Sequence, residues 1–477
     1  MLNIILIITD TFRYDNLGQR NDEMPVRTPQ LDRFAAECAT EVHGFYTGSF
    51  PTIPHRTDIA TGRFGWPHYG WQPIDRSGQN HAGRILGQHG YATQLICDCP
   101  HLFPSRFNQG FDAAYQLRGQ EGDRPLLHLN DPIVETTPLS KTRTRPTFRG
   151  QSLADLHRWT NRYPRYETEV FPSRTAETAA RWLEENYEAG PFFLWVDFFD
   201  PHEPWDPPEY LVRRYDPDYA GTPMLHPNYG PSGAYTKDEL RNLRAHYAAE
   251  AELVDRGVGR VLQKMDDLGL WQSSVVVVTS DHGMSIGEHT RTGKSNIHDG
   301  DGRFWPLYPE LGHVPFLIAA PGLRPGAGIQ AFAQPADFLP TVCELAGVEA
   351  APPEPFDGRS FASVLRAGSG KHREFAVSGC WVGGSAAVPA KASTPFVVTE
   401  RWGYAPVGAH GAPELYDLTV DPLAAHDVAE AHTAVVREMH GLLIQHLREC
   451  GAADETIALW SAAGAGGSGT WARDYQR

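Results

Sequence analysis

Apolar positions along the chain follow two patterns. Runs without alternation occupy 3–8 (Asn-Ile-Ile-Leu-Ile-Ile), 91–97, 191–199 and 274–279 (Ser-Val-Val-Val-Val-Thr). Such runs predict central parallel strands covered on both faces. Helical periodicity over 28–35, 81–89, 173–186 and 236–268 supplies the covering layers. Alternation of the two patterns to about residue 370 predicts an α/β fold with a doubly wound, mostly parallel sheet. Beyond 374 the pattern shortens. Runs at 375–381, 395–402 and 414–418 read as antiparallel strands, and 431–450 as a final amphipathic helix. The expected organisation is a catalytic-sized domain over 1–370, an α+β subdomain over 371–450 and a tail over 451–477, Gly-rich at 464–469. Residues 110–165 are rich in Pro, Arg, Thr and Gly with weak periodicity, and predict a long excursion over a site mouth. Within it, residues 119–123 form a polar cluster that reads as a turn.

Ligand sites in open α/β sheets gather at the carboxyl ends of strands. The first predicted strand ends in Asp10, and the run at 274–279 delivers Ser280-Asp281-His282-Gly283. Two carboxylates and an imidazole suit a divalent cation, although Asp10 alone reads equally as a turn residue. A third stretch joins them: Gly48-Ser49-Phe50-Pro51-Thr52-Ile53-Pro54-His55-Arg56. Thr52 belongs at or beside a helix N-cap, and Pro54 suits a first turn, where its missing N–H costs nothing. Arg56, four residues on, shares the face of Thr52. Free N–H donors and partial positive charge at the helix start suit an anionic ester oxygen. By itself the stretch reads equally as a capped helix with a surface arginine.

Composition narrows the partners. A chain of 477 residues with 41% hydrophobic and 21% charged residues is an ordinary globular protein. The 42 basic residues against 58 acidic ones give −16, which argues against nucleic-acid and anionic-membrane partners. Cys38, Cys97, Cys99, Cys343, Cys380 and Cys450 are scattered, with no Cys-x-x-Cys spacing, as in a reducing cytoplasm. Residues 2–8 lack a basic flank and run straight into Asp10, so they read as a strand and not a signal peptide. No stretch reaches transmembrane length. The expectation is a cytoplasmic protein with a small anionic ester as substrate, and with homo-oligomerisation left open.

At these residues the chain resembles the sulfatase branch of the alkaline phosphatase superfamily. That family's signature of Cys or Ser, x, Pro, x, Arg, followed by Thr-Gly, is matched in spacing by Thr52-Ile53-Pro54-His55-Arg56 and Thr61-Gly62. Thr28-Pro29-Gln30-Leu31-Asp32, Asp200-Pro201-His202-Glu203-Pro204-Trp205 and Gly287-Glu288-His289 with Gly293-Lys294 resemble further family segments. So do Asp337-Phe338-Leu339-Pro340-Thr341, Asp357-Gly358-Arg359-Ser360 and Glu414-Leu415-Tyr416-Asp417-Leu418. The resemblance implies an alkaline-phosphatase-like fold and an ester hydrolase with Asp10, Thr52, Asp281 and His282 as metal ligands. It also implies that Arg56 and Lys294, with His202 as a further candidate, steady charge on the reacting ester. Mn²⁺ or Zn²⁺ is favoured by the imidazole, with Ca²⁺ left open.

Three departures redirect the chemistry. Thr52 stands where sulfatases make formylglycine from Cys or Ser. The usual Asp-Asp is Asp10-Thr11, as in members acting on phosphodiesters and phosphonate esters. The usual Gly-Lys-Trp-His reads Cys97-Asp98-Cys99-Pro100-His101, so one sulfate-binding lysine is gone. A Thr hydroxyl is a weak nucleophile that needs a cation, and its ester must be released by a second attack of water. Phosphorus accepts that attack readily, so the expected substrate is a phosphodiester or phosphonate monoester. The alternatives are sulfate ester hydrolysis without formylglycine, phospho-group transfer, and an anion-binding pseudoenzyme. A second cation would draw on His202 or His313, though His313 equally reads as structural. His289 and His298 read as supporting or surface groups.

Overall fold

The four unalternating runs form the middle of an eight-stranded sheet. Its order is Ala327–Ala333, Thr40–Phe45, Phe316–Ala319, Ser274–Ser280, Asn3–Thr9, Phe192–Phe198, Ala92–Cys97 and Ala113–Gln116. In this computed structural model, the described residues are 1–75, 78–123, 125, 137–143, 152–164, 166–295, 303–380 and 393–463. Phe316–Ala319 runs antiparallel to both neighbours and the other pairings are parallel, as in the doubly wound α/β class expected.

Two-sided burial explains the missing alternation. Ile4, Leu6 and Ile8 face one core together with Trp195 and Val277, while Ile5 and Ile7 face a second core with Leu194 and Val276. The first core is closed by the helices Thr52–Thr61, Ala82–Gln88 and Phe338–Ala346; the second by Pro29–Glu37, Phe171–Asn186 and Lys237–Asp267. Each fully buried Ile, Leu or Val contributes about 1.5–3 kcal/mol relative to exposure. The long helix starts where its sequence says it should: Thr236 Oγ1 accepts from Glu239 N at 3.2 Å, and the Glu239 carboxylate accepts from Thr236 N at 2.8 Å.

A second sheet follows in the order Glu414–Asp417, Trp402–Ala405, Phe396–Val398, Ala376–Cys380 and Ser49–Phe50. Its last member comes from the other end of the chain. Ser49–Phe50, just ahead of Thr52, pairs in parallel with Ala376–Cys380, so the C-terminal sheet braces the start of the candidate active-site helix. The single run expected over 395–402 is two strands joined by a turn. The helix Thr433–Glu449 packs on this sheet.

Two expectations need correction. The tail expected from 451 begins with a helix, Asp454–Ala463, whose Trp460 is buried edge-on against Trp66. Ten residues are too short for a clear helical period to stand out beside the following glycines. Residues 464–477 lie outside the described residues. The excursion expected over 110–165 opens as the sheet's edge strand, Ala113–Gln116, and contains the helix Leu153–Thr160, N-capped by Ser152. Within that span, residues 124, 126–136, 144–151 and 165 lie outside the described residues, as does His298. All six cysteines are free. Among the described residues no helix is long and apolar enough to cross a membrane.

Candidate active site

Parallel register brings the strand ends together. Thr9 lies opposite Ser280, so the next residues, Asp10 and Asp281, leave the sheet side by side. On the other flank Ile8 lies opposite Asp197. One ligand atom from each of Asp10, Asp281 and His282 lies within 4.8 Å of the others, all three residues being buried. His282 Nδ1 donates to the Gly283 carbonyl at 2.9 Å, which leaves Nε2 as a lone pair. That Nε2 has no hydrogen-bond partner and faces Asp281 Oδ2 at 3.5 Å and Asp10 Oδ1 at 3.8 Å. Asp10 Oδ2 also lacks a hydrogen bond, lying 3.1 Å from Arg56 Nη1 without the required geometry. Buried, unbonded donors of this kind fit a divalent cation. No second group of three such ligands occurs among the described residues.

Charge here is strongly structured. Burial pushes the Asp281 carboxyl up, but His282, Arg56 and His55 outweigh it and hold the group well below the usual carboxylate range. Burial and the neighbouring Asp281 push Asp10 the other way, against Arg56 and Lys294. Burial also lowers His282 to about 4, against the pull of Asp281, so its lone pair is free at neutral pH.

Thr52 is the first residue of its helix, and its hydroxyl caps nothing. The hydroxyl makes no hydrogen bond among the described residues. Its carbonyl accepts from Arg56 Nη1 at 3.2 Å, the nitrogen that also meets Asp281 Oδ2 at 2.6 Å and Asp10 Oδ2 at 3.1 Å. One guanidinium nitrogen therefore ties the Thr52 backbone to both carboxylates. The helix ends at Gly62, whose φ of +66° suits glycine and whose Cβ would meet Phe356 at 2.5 Å.

Arg56 is expected to steady charge on the reacting ester. It is fully buried, and its Nε and Nη2 each reach an Asp197 oxygen at 2.8 Å. Three carboxylates thus surround Arg56, which ties them to the Thr52 backbone. Asp197 escaped the sequence reading, although one carboxylate inside an otherwise apolar central strand is a signal worth following.

Lys294 approaches the same cluster through Thr11. Its Nζ donates to Thr11 Oγ1 at 3.3 Å, and Thr11 Oγ1 donates to Asp10 Oδ1 at 2.7 Å. On its other side Lys294 is 3.7 Å from Glu203 Oε2, an oxygen with no hydrogen bond. Glu203 is fully buried, accepts from the Tyr229 hydroxyl, and has Arg143 at 3.7 Å. His202 donates through Nδ1 to the Glu203 carbonyl at 2.7 Å, and His226 does the same to Pro227 at 2.8 Å. Burial lowers His202 well below the usual histidine range and His226 to about 4, in both cases against Glu203. His202 is therefore neutral and offers an Nε2 acceptor. Burial, then Lys294, Arg56 and Arg143, lower His101 to about 3. Arg143, His226 and Tyr229 sit in irregular segments and carried no sequence signal.

Other candidates lie elsewhere. His313 donates through Nε2 to the His43 carbonyl at 2.7 Å and stacks between Tyr14 and Tyr46, so it is structural. His289 stacks on Tyr308 with Nε2 3.6 Å from Glu310. The 119–123 cluster is a turn, with Asp123 N donating to the Gln120 carbonyl at 2.9 Å, and it also sends Gln120 Nε2 to Asp200 at 2.9 Å.

Comparison with known proteins completes the description. The sequence profile of the family described as Sulfatase matches residues 2–348. An arylsulfatase of Clostridium perfringens is 24% identical over 452 residues, covering 88% of each chain. Arylsulfatase K of Mus musculus is 25% identical over 459 residues, covering 88% of this chain and 74% of that one. Among solved structures, the phosphonate monoester hydrolase of Agrobacterium radiobacter shares the fold with a TM-score of 0.70 and 22% identity, over 94% of this chain and 96% of that one.

Proposed function

The chain belongs to the sulfatase family, and from that premise we propose that it hydrolyses phosphodiesters or phosphonate monoesters with Thr52 as nucleophile and a divalent metal as cofactor. Relatives named as arylsulfatases and a fold neighbour named as a phosphonate monoester hydrolase support hydrolysis of a sulfate or phosphate ester. The observation that carries the finer reading is the free Thr52 hydroxyl on a backbone that Arg56 ties to Asp10 and Asp281.

Asp10, Asp281 and His282 would hold the cation, with Thr52 as a fourth ligand. Bound there, Mn²⁺ or Zn²⁺ supplies Lewis acidity and lowers the pKa of an attached oxygen. The chain's own groups do the rest. Arg56 keeps the carboxylates oriented and in place. Lys294 puts a positive charge beside the reacting group, where negative charge builds up on the ester oxygens. His202 Nε2, kept neutral by burial, offers a hydrogen-bond acceptor and not a strong base, so the proton given up by the attacking hydroxyl passes to the leaving oxygen. In the first step the Thr52 Oγ–P bond forms as the bond to the leaving oxygen breaks, and that oxygen takes up a proton. In the second step water attacks phosphorus, and Thr52 leaves as the free hydroxyl.

Steady-state rates on nitrophenyl phosphodiester, phosphonate and sulfate substrates test the reading. Faster turnover of phosphorus esters is expected; faster turnover of the sulfate overturns the substrate preference. Thr52→Ala is expected to abolish turnover, and unchanged rates would remove Thr52 from the mechanism.

A further inference from the structure

Beside the catalytic floor, Asp200 lines a separate cavity of about 200 Å³ together with Asp206 and Glu250, with Phe171, Pro207 and Leu253 among its walls. Asp200 lies two residues before His202, and Glu250 projects from the helix Lys237–Asp267. Glu250 is 4% exposed, and its Oε2 has no hydrogen-bond partner. Asp200 accepts a hydrogen bond from the Gln120 amide. Neither acid is paired with a basic side chain among the described residues, whereas Asp206 lies 3.2 Å from His157 Nε2. Carboxylates buried without a counter-charge are costly unless a ligand brings one. Burial, then Asp200 and Asp206, push the Glu250 carboxyl well above its usual range.

An organic cation fits this cavity better than a metal ion does. A metal ion needs ligand atoms drawn close together, and among the described residues only Asp10, Asp281 and His282 meet that condition. Acids that form no close group of three, with apolar and aromatic walls, instead suit a charge spread over an alkylated nitrogen. The size agrees: a cavity of about 150 Å³ already takes benzene. Asp200 lies two residues beyond Phe198, whose carbonyl accepts from Asp10 N at 2.9 Å, so this wall of the cavity adjoins the metal-ligating trio. We propose that this cavity binds an alkylammonium group of the ester substrate, with Glu250 and Asp200 as its counter-ions. The placement on the substrate rests on the hydrolase reading, while binding of the free cation does not.

Calorimetry on the full chain with tetramethylammonium and ethylammonium, against tert-butanol as the neutral control, tests the site. Saturable binding of a cation and none of tert-butanol is expected, weakened about 30-fold or more in Glu250→Gln. No cation binding overturns the site, as does unchanged binding in both Glu250→Gln and Asp200→Asn. The substrate claim is tested with trimethylammonioethyl nitrophenyl phosphate and its neutral dimethylbutyl isostere. Wild type should prefer the ester with the cationic tail in kcat/KM, and Glu250→Gln should lose that preference. Equal kcat/KM for both esters in wild type overturns the substrate placement. Cation binding with hydrolysis of neither ester leaves the cavity's role standing and sinks the hydrolase reading.

Discussion

Asp10, Asp197 and Asp281 surround one fully buried guanidinium, whereas Asp200 and Glu250, on the adjoining loop and the facing helix, meet none among the described residues. Both clusters are buried at the same end of the large sheet, and both are made of carboxylates. His282 and then Arg56 let Asp281 remain ionised in spite of its burial, so a cation can be held there when one arrives. In the other cluster burial prevails, and Asp200 and Glu250 are both driven up. Burial raises Asp10 and Asp197 as well, so what the guanidinium adds is one carboxylate held ionised in advance, Asp281, for which the other cluster has no counterpart.

The largest test of this contrast removes the guanidinium. Arg56→Met leaves three carboxylates facing one another, and should lower unfolding free energy by about 3–5 kcal/mol. Urea denaturation with a fixed metal concentration reads this out, and a loss below about 1 kcal/mol would show that Arg56 is not the keystone described here. Next in size is Asp281→Asn, which keeps the shape of the site but removes an anionic ligand. Affinity for the divalent cation and turnover should both fall by more than about 100-fold, beyond what loss of an outer partner costs. Elemental analysis after dialysis, with rates on the same sample, checks both. Full metal retention in this variant would place the cation elsewhere.

Those two residues were also among the most legible in the sequence. Asp10, Asp281 and His282 end unalternating runs, and parallel register leaves such ends little choice but to meet. Thr52 and Arg56 were fixed by spacing on one helix face. Harder to see was what Arg56 does: its partner Asp197 lies more than a hundred residues on, within an apolar strand, and one-dimensional periodicity has no term for a strand neighbour. Glu203, Tyr229, His226 and Arg143 come together from irregular segments, where no repeat constrains which residue turns inward. The two-residue strand Ser49–Phe50 depends on a partner about 330 residues away in the C-terminal sheet. Short elements of that kind are set by tertiary pairing and leave almost no local signal.

The smallest test reverses the sign. Glu250→Gln removes a carboxyl that, without ligand, has neither a basic partner nor a hydrogen bond on Oε2. The unliganded protein should gain about 1 kcal/mol, the low end of the penalty for an unsatisfied buried polar group. The gain should depend on pH in one direction. Because the folded state raises this carboxyl above its unfolded value of 4.5, the folded protein binds the extra proton, and its contribution to stability is complete only below that value. As pH rises towards the folded pKa, wild type loses that contribution and the glutamine variant does not. The difference between them should therefore widen above pH 4.5, and adding tetramethylammonium should narrow it by stabilising wild type alone. Thermal melts across that range separate this from simple repacking, which would shift both proteins equally at every pH. A stability difference of the opposite sign, favouring wild type without cation, would show that Glu250 already has its counter-charge within the protein, and the contrast between the two clusters would collapse.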